Sequence, residues 1–139
     1  MKRWLFVLFV LLPLILQGCL PFEPAANNPP YLLFAQGGSD CRFDEEAERA
    51  SLSFSEGILT FSGTIATSSP CQHLIPSLTV CGKNILVKIA AIAKPGACPL
   101  CLGVVDYGGS VVGLSQGAYR VRIKHEDRTL VDLWVTINS

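Results

Sequence analysis

Cys98-Pro99-Leu100-Cys101 holds two thiols at the spacing used for disulfide exchange and for metal binding. Redox exchange needs the first thiol at a helix N-terminus, where the helix dipole lowers its pKa. Here the apolar residues Leu102, Val104 and Val105 follow, which predicts a strand. No histidine follows Cys101, so the spacing does not support haem attachment either. Cys71-Gln72-His73 supplies two more soft donors, making Cys71, His73, Cys98 and Cys101 a candidate tetrahedral metal set. The competing chemistry of these thiols is oxidation to disulfides.

Two other patterns carry chemistry on paper. Gly113-Leu114-Ser115-Gln116-Gly117 spells GxSxG, which activates serine only on a strand-to-helix turn above a largely parallel sheet. A β-type run follows it instead, and His125 is expected at a hairpin tip, so a turn is the reading. The run from Arg42 to Arg49, with Asp44, Glu45, Glu46 and Glu48, lacks the Asp/Asn/Gly spacing of a calcium loop and reads as a solvated surface. No catalytic constellation emerges, and no cofactor is implied.

The N-terminus specifies an address. Lys2 and Arg3 precede an apolar run from Trp4 to Leu16, too short to span a bilayer comfortably. Leu16-Gln17-Gly18-Cys19 resembles the lipobox of bacterial lipoproteins, although Gln17 stands where a small residue is usual. The resemblance implies cleavage of residues 1–18 as a signal peptide and a palmitate-type lipid anchor on Cys19. Leu20 is not the aspartate that resembles an inner-membrane retention signal, so in a source with two membranes the resemblance implies the outer one. The expected location is the extracytoplasmic face of the cell envelope. The partners expected there are the membrane, through Cys19, and another envelope or extracellular protein.

Cleavage leaves 121 residues, enough for one domain. Nine basic side chains remain against eleven acidic ones, and no basic cluster of the kind that neutralises phosphates stands out, so nucleic acid is not an expected partner. Residues 19–40, with Pro21, Pro24, Pro29, Pro30 and Gly37-Gly38, read as a flexible tether. Within it Tyr31 to Phe34 is apolar enough to add an edge strand or to dock. Residues 41–139 are the expected domain.

Alternation of apolar and polar residues then positions everything else. Strands are expected at Ser51–Ser55, Ile58–Ala66, Leu74–Cys81, Ile85–Ile92, Cys98–Tyr107, Tyr119–Lys124 and Leu130–Ile137, with a short pairing segment at Val111-Val112. Asp44 to Ala50 is the one candidate helical turn. Seven or eight short strands predict an all-β, antiparallel, immunoglobulin-like two-sheet sandwich. Leu114 to Val121 resembles the run into the penultimate strand of fibronectin type III and related domains. That resemblance implies a tyrosine corner at Tyr119, whose hydroxyl would bond the upstream backbone.

If strands alternate up and down, Cys41, Cys71, Cys98 and Cys101 gather at one end. The preferred pairing joins Cys71 to one of Cys98 and Cys101, and Cys41 to the other, because a local Cys98–Cys101 loop constrains little chain. Cys81, at the opposite end, is expected to be a free thiol. Trp134 would face outward beside Arg120 and Arg122, a candidate contact patch unless the Tyr31–Phe34 segment covers it. The leading expectation is a lipid-anchored, non-catalytic binding or structural module. The alternative is thiol redox or metal chemistry at Cys71, His73, Cys98 and Cys101.

Overall fold

The structure is a computed structural model that describes residues 28–42 and 48–138. The signal, Cys19 and the first part of the tether lie outside the described residues, as do Asp44, Glu45 and Glu46. Eight strands follow one another: β1 (Tyr31–Cys41), β2 (Arg49–Ser55), β3 (Ile58–Thr67), β4 (Gln72–Cys81), β5 (Asn84–Ala93), β6 (Gly103–Val112), β7 (Gly117–His125) and β8 (Arg128–Ile137). They form two four-stranded sheets, ordered β1-β6-β3-β2 and β4-β5-β7-β8. Stacked face to face, with β1 against β4 and β2 against β8, they make an all-β sandwich.

One pair departs from the expected antiparallel pattern. β5 and β7 are parallel, Ile85 opposite Val121 and Val87 opposite Ile123. The reason is the path of β6, which leaves β5 and returns through the other sheet. Two strands pointing the same way are thereby left side by side.

Alternation sets the register. Ile85, Val87 and Ile89 of β5 and Val121 and Ile123 of β7 are fully buried, meeting Leu59, Phe61, Val105 and Val111 from the facing sheet. A one-residue slip of β5 would turn three buried side chains outward, at about 1.5–3 kcal/mol each, and would drive Lys88 into the core. At the β2–β3 hairpin, Glu56 and Gly57 both have positive φ, the geometry of a two-residue turn matched to strand twist.

Three boundaries differ from expectation. β1 is a full strand paired with β6 from Tyr31–Val112 to Cys41–Gly103, so residues 31–40 belong to the sandwich and not to a tether. β6 does not end at Tyr107. It runs through Gly108 and Gly109, because at Gly109 the Phe61 ring and the Leu33 carbonyl leave no room for a Cβ. Of the candidate helical turn, Arg49 and Ala50 instead open β2.

Candidate functional site

One end of the sandwich is stapled by two disulfides. Cys41 bonds Cys101 and Cys71 bonds Cys98, one of the two arrangements that the expected pairing left open. The Cys98–Cys101 motif is therefore split between two cross-links, and the sulfurs of the candidate metal set are spent in covalent bonds. His73 lies exposed on β4, and among the described residues no group of three His, Cys, Asp or Glu side chains is placed to hold a metal. Cys81 corrects the free-thiol expectation: it is disulfide-bonded.

Ser115 is not part of a hydrolytic triad. Its Oγ lies 2.9 Å from the Tyr119 hydroxyl, near the start of β7. His125 ends that strand, about 3.3 Å per residue away along a nine-residue element. The same contact modifies the expected tyrosine corner, because Tyr119 reaches back to a side chain four residues upstream rather than to backbone. Lys83 caps the ring, its Nζ 4.5 Å from the centroid.

His125 itself corrects another expectation. It is not at the hairpin tip but 2% exposed, the inward-facing continuation of Tyr119, Val121 and Ile123. The tip is Glu126-Asp127, and the register slip falls on β8 at Leu130. Four residues from three separate stretches of the sequence join there. His125 Nδ1 lies 2.8 Å from Glu48 Oε1, its Nε2 lies 2.6 Å from the Tyr107 hydroxyl, and Arg128 Nη1 donates to Glu48 Oε2 at 2.8 Å. A carboxylate held by arginine only accepts, so Nδ1 carries the proton and Nε2 accepts from Tyr107. Burial lowers the His125 pKa, the hydrogen bond and charge of Glu48 opposing it only in part. Burial, then the Glu48 charge, hold the Tyr107 phenol protonated well above the usual tyrosine range. The chain ties the two sheets together and exposes no nucleophile.

The exposed chemistry lies on the outer face of the second sheet. Trp134 on β8 is 67% exposed and sits opposite Arg120 in the register, and Arg122 sits opposite Asp132. β1 pairs in the other sheet, so the Tyr31–Phe34 segment does not cover this face. Arg120 chelates Asp132 with Nε at 2.8 Å and Nη2 at 2.7 Å. That hydrogen bond, more than charge alone, keeps the Asp132 carboxyl below its usual range. Asp132 is thereby taken by the diagonal arginine. Arg122 is left without an ion pair among the described residues, and its buried Nε has no hydrogen-bond partner. Across the parallel pair Arg122 lies opposite Leu86 and Lys124 opposite Lys88, adding two cations that sequence reading did not assemble into the patch. The β4 and β5 residues of the same face include exposed Ile75 and Ile92. The outer face of the first sheet contrasts with it: a depression of about 590 Å³ there is lined by Ser51, Ser62 and Thr64, with one base, Arg49, and one acid, Asp106.

Comparisons with family models, curated proteins and solved structures find no match.

Proposed function

We propose that the chain is an exported, lipid-anchored, non-catalytic β-sandwich whose second sheet presents a contact face to an anionic partner. The observation that carries this reading is the segregation of charge. Lys88, Arg120, Arg122 and Lys124 share one face with the exposed Trp134, in a chain whose mature form is net acidic. Arg122 is the focus, because among the described residues it forms no ion pair and its buried Nε has no hydrogen-bond partner, Asp132 being chelated by Arg120. The two disulfides suit an oxidising compartment, and they stiffen the end opposite that from which the tether leaves.

Membrane attachment rests on the lipobox resemblance at Cys19. Intact-mass spectrometry of the protein extracted from cells tests it. A diacylglycerol thioether on an N-terminal Cys19 supports the anchor; a chain uncut at Cys19 and free of lipid overturns it.

Cys81 favours a second reading. With Cys41, Cys71, Cys98 and Cys101 paired, an intramolecular disulfide at Cys81 needs Cys19 as a thiol, and a thioether-linked lipid removes that thiol. In that reading the domain is exported with three disulfides and no lipid. The same mass spectrum separates the two.

A further inference from the structure

We infer that the partner of the Trp134 face is the headgroup layer of an anionic membrane, onto which the sandwich lies with its second sheet downward. The inference rests on the anchored reading above and names the partner of the same face. Three observations carry it.

The first is the composition of the face. Cations occupy its middle, at Lys88, Arg122 and Lys124, while exposed apolar side chains surround them: Trp134 at one edge, Ile75 and Ile92 toward the other. Indole rings and snorkelling Arg and Lys side chains are the residues that partition to the boundary between headgroups and acyl chains. A flat sheet face offers them to a surface together. The acids there are few and engaged, Asp132 by Arg120 and Asp127 by Lys88 at 3.3 Å.

The second is where the tether leaves. Tyr31 pairs with Val112, and Pro29 and Pro30 lie against Gly113, at the same end of the sandwich as Arg120 and Trp134. Twelve residue steps separate Cys19 from Tyr31, a reach of at most about 43 Å at 3.3–3.6 Å per residue. A lipid on Cys19 would hold the face within that distance of the bilayer, close to the length of a ten-residue strand. Binding there is intramolecular in effect, so weak contacts suffice.

The third is the unsatisfied guanidinium. Arg122 Nε is buried without a partner among the described residues, and the remaining donors of its fork suit a phosphate oxygen. Each basic side chain at an anionic surface strengthens partitioning roughly fivefold.

Trp134 is the experimental handle. The chain has two tryptophans and Trp4 lies in the signal, so a W4F background leaves one indole however the signal is processed. The purified full-length product is reconstituted into phosphatidylcholine vesicles, with or without 30% phosphatidylglycerol, containing lipids brominated near the headgroup. Docking gives a blue-shifted Trp134 emission, quenched at least threefold more in the anionic vesicles. The excess is lost in 0.5 M salt and in R122Q/K124Q. Equal quenching in neutral and anionic vesicles overturns the inference and leaves the face to an acidic protein partner. Intact mass on the same sample separates the two ideas. Lipid present without anionic-dependent quenching sinks only the docking. Lipid absent sinks the anchor, and co-sedimentation of that chain with anionic vesicles then reads the face alone.

Discussion

Replacing Tyr107 by Phe deletes one oxygen from the buried end of a hydrogen-bond chain, and the structure sets the cost. The hydroxyl donates to His125 Nε2 at 2.6 Å, with Tyr107 and His125 both under 5% exposed. The imidazole acceptor is 2% exposed, so the loss leaves it buried and unpaired at about 1–3 kcal/mol. His125→Leu orphans the phenol instead, at a similar about 1–3 kcal/mol, and also strips Glu48 of one partner while Arg128 remains. The double variant removes both ends of the 2.6 Å bond, so its loss falls short of the two single losses combined by about 0.5–3 kcal/mol. Acid adds an independent signature. Burial lowers the folded-state pKa of His125 below its ordinary value of 6.5. Its contribution is therefore complete above that value and is lost as pH falls through the folded-state pKa. Between the two the unfolded chain holds up to one proton more, a slope of at most about 1.4 kcal/mol per pH unit. Urea unfolding followed by circular dichroism, with disulfides intact, at pH 7.5 and at pH 5, measures both effects. The expected result is that wild type loses more stability on acidification than His125→Leu does. A Tyr107→Phe cost below about 0.5 kcal/mol, together with parallel acid profiles for wild type and His125→Leu, refutes the reasoning.

The disulfides should differ in weight. Their residues are 60 and 27 positions apart, so in the chain-entropy account C41A/C101A costs about 4 kcal/mol and C71A/C98A about 3.5 kcal/mol. Thermal unfolding without reductant checks the order, and an equal or reversed order argues against that account. Two neighbouring glycines should also part company. A methyl at Gly63 meets the Arg49 carbonyl and the Tyr107 hydroxyl, so Gly63→Ala should destabilise by about 1–3 kcal/mol through overpacking. At Gly108 the nearest atom to a built Cβ is the Phe61 carbonyl oxygen at 3.8 Å. Gly108→Ala should leave stability unchanged or raise it by up to about 1 kcal/mol, as read from the shift in Tm.

What the sequence makes legible is whatever depends on neighbours in the chain. The inward faces of Ile85-Val87-Ile89 and of Tyr119-Val121-Ile123 follow from period-two alternation, as does the outward turn of Arg120, Arg122 and Trp134. One further step of that alternation reaches His125. Its polarity argued for a turn, and only the structure brings Glu48, 77 residues away, to make burial tolerable. The contact patch follows the same logic. Arg120 and Trp134 are hairpin neighbours and could be placed together, whereas Lys88 joins them through a parallel pairing that no local pattern encodes.

Cysteine pairing divides along the same line, with one difference. Strand direction was enough to bring Cys41, Cys71, Cys98 and Cys101 to one end, because it is a property of the chain's path. The free thiol expected at Cys81 rests on its place at the opposite end, where it stands alone once Cys19 is assigned to lipid. A cysteine sulfur forms a thioether to lipid or a disulfide, not both. The disulfide at Cys81 and the anchor at Cys19 are therefore one question within a monomer. A non-reducing digest decides it, because the peptide that carries Cys81 is cross-linked to the peptide that carries Cys19 only if no lipid occupies that sulfur.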